Sequence, residues 1–194
     1  GDVEAITLAD GTNTVALGAN ASGSGIDSIT GGTGADDISG SAAAETITGG
    51  AGADSISAGS GDDTLVFADG AELSGDTAVD GGAGTDTVRF TSATADVDDE
   101  DFANVSDDSI EAIELTSGGG NTSITLGSSG DAATNNLTIT GADQTTASSG
   151  DTIDVSGMTE AVTITGGAGS DTLTGGAGDD TFQFASGAEL SGDS

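Results

Sequence analysis

A nine-residue unit, G-G-x-G-x-D-x-U-x with U an apolar residue, recurs along this chain and constrains its fold more than any other feature. Six units carry the specific motif and start at residues 31, 49, 58, 81, 166 and 175. Two weaker units start at residues 22 and 40, so that the stretch from residue 22 to Val66 divides into five units without a gap. A repeat this short predicts a solenoid, in which successive coils stack along one axis.

Each unit predicts a sharp turn followed by a short strand. Glycine allows the positive φ and the close backbone approach that the six-residue turn requires. In the three-residue strand the side chains alternate between two faces, so the central apolar residue points inward. Between the units, short apolar pulses bounded by Gly, Ser, Asn or Asp predict further brief strands, and residues 96 to 112 allow one helical turn. The predicted inward residues of the six units are Ile38, Ile56, Leu65, Val88, Leu173 and Phe182.

The spacing of the acidic residues predicts cation sites between stacked turns. Because each unit reverses the chain, a turn returns to the same edge every second unit, stacked at about 4.8 Å. An ion midway lies about 2.4 Å from each layer, which matches the Ca²⁺–oxygen distance and exceeds that of Mg²⁺. The resulting 18-residue spacing pairs Asp36 with Asp54 on one edge and places Asp27, Glu45 and Asp63 on the other.

These units resemble the calcium-binding nonapeptide repeat of the RTX family. The resemblance implies an all-β fold, a right-handed parallel β-roll or β-helix solenoid with calcium-binding nonapeptide turns and longer irregular coils. It also implies several Ca²⁺ ions, held by the glycines and aspartates of the turns. Glu72 and Glu189 join the predicted ligands because each lies 18 residues after a motif Asp within a recurring AELSGD block. The full set of predicted metal-site residues is Asp27, Gly32, Gly34, Asp36, Gly50, Gly52, Asp54, Gly59, Gly61, Asp63, Glu72, Gly82, Gly84, Asp86, Gly167, Gly169, Asp171, Gly176, Gly178, Asp180 and Glu189.

A longer repeat organises the chain as a whole. The block FADGAELSGDT at residues 67 to 77 returns as FASGAELSGDS at residues 184 to 194, and Glu4-Ala5-Ile6 returns as Glu111-Ala112-Ile113. We therefore predict irregular β-solenoid coils over residues 1–21 and an RTX β-roll over 22–77. A single nonapeptide with irregular coils then occupies 78–165, and a second, truncated RTX β-roll occupies 166–194. Phenylalanines that directly follow nonapeptide runs either plug an end of the core or pack within it; these are Phe67, Phe90 and Phe184.

Composition narrows the range of functions. The chain has 34 acidic residues against one basic residue, Arg89, and it contains no His and no Cys. It therefore lacks the usual general base and the strongest side-chain nucleophile, and we expect no enzymatic activity. A net charge of −33 repels nucleic acid and anionic lipid. Since no apolar run approaches 20 residues, we also expect no membrane insertion.

The sequence thus favours a calcium-dependent structural repeat segment of a secreted cell-surface or extracellular assembly protein. Surface-layer, filament and adhesin proteins are the types we expect, exported by a type I pathway and partnered by calcium and by copies of the chain or neighbouring repeats. The alternative is the calcium-dependent folding and export tail of a type I secreted RTX enzyme, such as a protease or lipase. The return of a block after 117 residues argues against that tail. Binding of sugar or ice by Thr/Ser faces is a third possibility, for which the sequence shows no ranked array.

Overall fold

The computed structural model describes residues 4–18, 26–106, 109–116, 120–127, 133–142 and 150–184. These residues form a parallel β-solenoid, which confirms the predicted fold class. One face is a single nine-stranded sheet built from the odd-numbered strands in sequence order. Its strands are β1 (Ala5–Thr7), β3 (Ser28–Thr30), β5 (Thr46–Thr48), β7 (Thr64–Phe67), β9 (Thr87–Phe90), β11 (Ile110–Leu115), β13 (Ala133–Thr140), β15 (Thr163–Thr165) and β17 (Thr181–Gln183).

The opposite face consists of two four-stranded sheets, each again in sequence order and each parallel. Every coil therefore contributes one strand to each face, as the alternation of turns and strands predicts. The first of these sheets contains β2 (Thr14–Ala16), β4 (Asp37–Ser41), β6 (Ser55–Gly59) and β8 (Ala78–Asp80), and the second contains β10 (Asp96–Asp98), β12 (Ser123–Thr125), β14 (Thr152–Asp154) and β16 (Thr172–Thr174).

The core is a stack of apolar side chains in strict register. In the nine-stranded sheet Ile29 pairs with Ile47, and Ile47 pairs with Leu65, so one inward residue of each coil lies above the last. All three are fully buried. Phe182 occupies the same row beside Ile164, but it is 38% exposed because no described strand lies beyond β17. Its predicted inward direction agrees with this register although its burial is incomplete, and Ile38, Ile56, Leu65, Val88 and Leu173 are buried as predicted.

The two phenylalanines in the middle of the solenoid pack in the core and plug no end of it. Phe67 of β7 pairs in register with Phe90 of β9, and their ring centroids are 6.4 Å apart. Both side chains are buried, whereas Phe184 is exposed. Core packing is thus the correct one of the two predicted roles for Phe67 and Phe90.

A short helix, α1 (Gly70–Gly75), lies between β7 and β8 in the chain and contacts β10, the first strand of the second four-stranded sheet. The side chain of Asp69 caps it by accepting a hydrogen bond from the Glu72 backbone, and Leu73 is fully buried. The predicted helical turn within residues 96 to 112 is a 3₁₀ turn, Asp99–Phe102, which contacts α1. Neither helical segment of the described part has the length and apolar character of a membrane span.

Candidate metal centre

The motif carboxylates stack in columns along the edges of the solenoid. In the first column, which comprises Asn13, Asp36, Asp54 and Asp76, each carboxylate accepts a hydrogen bond from the backbone N–H of the preceding member. The N–H groups of Asn13 and Asp36 donate to Oδ1 of the following Asp at 2.8 Å, and that of Asp54 donates to Asp76 Oδ1 at 2.9 Å. The aspartates of this column therefore link four stacked turns at one edge of the solenoid.

The second column lies on the opposite edge and comprises Glu45, Asp63, Asp86 and Glu111. Its successive N–H to carboxylate distances are 2.7, 2.8 and 2.7 Å. Asp86 belongs to the single nonapeptide at residues 81 to 89, so this unit is isolated in sequence but stacked in space. Asp27 precedes β3 on the same edge, where its carbonyl accepts from the N–H of Thr46 at 2.9 Å.

Further along the chain the same pattern recurs. In a third column the N–H of Thr122 donates to Asp151 Oδ1 at 3.3 Å, and the N–H of Asp151 donates to Asp171 Oδ1 at 2.9 Å. On the other edge, Asp180 Oδ1 accepts from the N–H of Val162 at 3.0 Å. The second run of nonapeptides is thus joined to the preceding irregular coils by the same bonds.

In five of the six motif units the first residue is a glycine that makes room for the motif carboxylate, whereas the unit at residue 58 begins with Ala58. A Cβ atom on Gly49 would lie 2.6 Å from Asp54 Oδ2, and a Cβ on Gly175 would lie 2.5 Å from Asp180 Oδ2. The carboxylate folds back over the start of its own turn, where a larger residue would displace it. Sequence reasoning selected the second and fourth glycines and missed this role. The same relation holds for Gly31 with Asp36, Gly81 with Asp86 and Gly166 with Asp171.

The second and fourth glycines bring carbonyl oxygens between the layers. Gly50 and Gly52 have φ values of +94° and +156°, and a Cβ on Gly52 would lie 2.5 Å from the Gly34 carbonyl oxygen. A Cβ on Gly50 would overlap the carbonyl oxygen of Gly32 in the same way. These predicted glycines therefore permit turns to stack with backbone oxygens facing the next layer.

Buried carboxylate oxygens without a donor indicate what these turns hold. Asp54, Asp63 and Asp86 are at most 1% exposed, and the Oδ2 atom of each has no hydrogen-bond partner. An anionic oxygen buried without a partner is unfavourable, whereas a cation between the turns would neutralise it. The surrounding donors are carboxylate and carbonyl oxygens, the ligands that Ca²⁺ takes. The residues present therefore fit calcium.

Electrostatics within the columns favour the same cation. Burial, together with neighbouring carboxylates, raises the pKa of Asp76 to about 7 and that of Asp86 to about 6. Burial and the nearby Asp36 carboxylate also raise the pKa of Asp54. At the start of the first column, burial acts in the same direction on Asp36, but hydrogen bonds from Gly32 and Asn13 lower its pKa. The inner carboxylates thus have the greatest need of a neutralising ion.

Glu72 does not occupy the column position from which its role was predicted. It lies in α1, where its Oε2 accepts from the N–H of Ala68, while Asp76 takes the place above Asp54. Because the helix adds residues to this coil, Asp76 lies 22 residues after Asp54, and the predicted 18-residue spacing is wrong here. A ligand role for Glu72 stays a prediction, and Glu189 lies outside the described residues. Within the described part, no three carboxylates converge on one point, so each stacked pair relies on carbonyl oxygens.

Sequence reasoning also missed Glu111 and Asp151 as members of the columns. Glu111 is the second residue of β11 and Asp151 directly precedes β14, and each is followed two residues later by an inward apolar residue, Ile113 and Ile153. This acidic-x-apolar pattern is the end of the nonapeptide without its glycines. Searching for that shorter pattern would have found both residues.

Comparison with known families agrees with this geometry. The RTX calcium-binding nonapeptide repeat matches the chain in four copies, over residues 22–44, 39–71 and 155–188. No curated protein and no solved structure shows a significant match to the chain. The matched stretches include Asp36, Asp54 and Asp171. Asp76 and Asp86 lie between the second and third stretches, outside the match.

Proposed function

We propose that this chain, which carries RTX calcium-binding nonapeptide repeats, is a calcium-dependent structural segment of a secreted extracellular assembly of the surface-layer, filament or adhesin type. The buried, donor-free oxygens of the stacked aspartates are the observation that carries the proposal. Folding brings like charges together in each column, and calcium removes this repulsion. The ion thus acts as the signal that orders the chain where calcium is abundant, outside the cell.

The outward face of the nine-stranded sheet supports the assembly role. Its outward rows consist largely of half-buried hydroxyl side chains, such as Thr46, Thr48 and Thr165. Apart from Glu111 of the second column, the charged residues on the described strands of this sheet are Arg89 and Glu114, which form an ion pair at 2.6 Å. In a chain with a net charge of −33, this near-neutral face is where copies approach with the least repulsion.

The continuity of the solenoid favours a structural segment over the folding tail of a secreted enzyme. The nine-stranded sheet runs from β1 to β17 and joins both nonapeptide runs into one described stack. A compact terminal block of nonapeptides would need no irregular coils between its nonapeptide runs. A catalytic domain in the same polypeptide would favour the alternative.

Calorimetry on the full chain tests the calcium proposal. Titrating metal-free protein with CaCl₂ at pH 7.5 should give saturable binding of several ions per chain, because stacked aspartates recur on both edges. Titration with MgCl₂ is the matched control, and it should give weaker binding since Mg²⁺ demands shorter bonds. Absence of binding at millimolar calcium would overturn the proposal.

Sedimentation velocity tests the assembly proposal. Wild-type chain in calcium should associate as its concentration rises, and Thr48→Glu with Thr165→Glu should prevent association by placing charge on the neutral face. The control is Ser57→Glu, which adds charge to the exposed outer side of β6 on the opposite face. A monomer at every concentration, or equal association of all variants, would contradict a role for this face.

A further inference from the structure

The first column continues beyond the nonapeptides. Its next member after Asp54 is Asp76, which follows a helical turn and not a glycine turn. Residues 70–75 form α1, and Asp76 then accepts the N–H of Asp54 at 2.9 Å. The N–H and the hydroxyl of Thr77 both donate to the Asp54 carbonyl, at 2.7 and 2.9 Å. Asp76 is only 3% exposed. The helical turn therefore stacks on the glycine turn through the same kind of hydrogen bonds that join two glycine turns.

The glycine turn on which the helical turn stacks contains an unsatisfied anion. Asp54 is fully buried, and its Oδ2 has no hydrogen-bond partner. Its carboxylate lies close enough to those of Asp76 and Glu72 to interact electrostatically with both. The carbonyl oxygen of Gly52 faces Gly75 of the helix, 3.8 Å from the position of a Cβ there. Two buried carboxylates and a turn carbonyl thus meet without any cationic side chain near them, since Arg89, the one basic residue of the chain, is paired with Glu114.

We infer that Asp54 and Asp76 hold a calcium ion between the glycine turn and the helical turn, a mixed site that the nonapeptide pattern does not contain. This inference rests on the proposed calcium binding. Asp54 Oδ2 and the Asp76 carboxylate supply the charged ligands, and turn carbonyls supply neutral ones. The family match ends at residue 71, five residues before Asp76. Calcium thereby orders α1 and the start of the second four-stranded sheet, which α1 contacts through β10.

Asp76→Asn tests the site because it keeps the acceptor for the Asp54 N–H and removes the charge. Calorimetry of the full chain at pH 7.5 should show one ion fewer than wild type, or one site weakened at least tenfold. Asp80→Asn is the matched control, since it makes the same change of charge in the same coil, on β8. It should bind the same number of ions as wild type.

The outcomes separate this inference from the proposed function. Wild-type chain that binds no calcium refutes the proposed function. Wild-type chain that binds several ions, with Asp76→Asn binding them equally, refutes only the mixed site. A loss of one ion in Glu72→Gln with no loss in Asp76→Asn also refutes it, because the closing ligand is then Glu72.

Should Asp76→Asn fail to fold, a crystal structure of wild type with calcium decides. An ion about 2.3 to 2.6 Å from oxygens of both Asp54 and Asp76 supports the site, and occupied turns elsewhere without one here overturn it.

Discussion

The two carboxylate oxygens of Asp54 have different surroundings. Its Oδ1 accepts the N–H of Asp36 in the turn below, and its Oδ2 lies over Gly49 of its own turn without a donor. One oxygen therefore joins the layers while the other is left for a cation. Gly49 leaves room for this second oxygen, which would lie only 2.6 Å from a Cβ atom at that position.

Gly49→Ala should weaken calcium binding without straining the backbone. The new Cβ would lie 2.6 Å from Asp54 Oδ2, so the carboxylate must move and its bond to Asp36 must lengthen. We expect at least a tenfold loss of affinity at the nearest site, about 1.4 kcal/mol, measured by calorimetry. Ala51→Ser is the control because Ala51 is exposed in the same turn. Equal affinity in the two variants would contradict this role of the first glycine.

At the scale of elements, sequence reasoning succeeded where the coils are equal in length. The inward rows and the stacking of Asp36 on Asp54 follow directly from a constant 18-residue period. The period rises to 22 residues at Asp76, 23 at Asp86 and 25 at Glu111. These longer coils fold by local bonds, such as the cap of α1, which a repeat pattern does not contain. The sequence therefore predicted the columns but not where they continue beyond the glycine motif.

Leu73→Ala should destabilise the calcium-bound protein by weakening the packing of α1. Leu73 is fully buried in α1, and its truncation leaves a cavity that costs about 2–5 kcal/mol. The measurement is chemical denaturation at saturating calcium. Val66→Ala removes apolar atoms from a half-buried, outward position on neighbouring β7 and should have a smaller effect. Equal losses of stability in the two variants would contradict this contribution of Leu73.

At the scale of the whole molecule, charge decides whether the solenoid forms. Part of the net charge of −33 lies in carboxylates that stack in columns, and the described ion pair between Arg89 and Glu114 relieves little of it. The apolar rows drive the coils together, whereas the columns oppose them at neutral pH. Calcium and protons are the two agents that remove this opposition.

Acid should therefore partly replace calcium. The pKa of Asp76 is about 7 in the folded chain and 3.8 when unperturbed, so the metal-free fold binds protons more tightly than the unfolded chain. This contribution to stability is complete below about pH 4 and is lost as the pH rises through about 6 to 7, the range of Asp86 and Asp76. Circular dichroism of metal-free protein between pH 8 and 4.5 should show increasing β-structure, and a constant spectrum would contradict the prediction.

Calcium-dependent folding tests the account most directly. Far-ultraviolet circular dichroism of the full chain at pH 7.5 should show a largely unfolded chain in excess chelator and a β-rich chain at millimolar calcium, because the stacked carboxylates repel until the ion binds. Chelator added afterwards should reverse the change. A spectrum that remains β-rich in excess chelator would contradict the account, since the apolar rows alone would then suffice to hold the columns together.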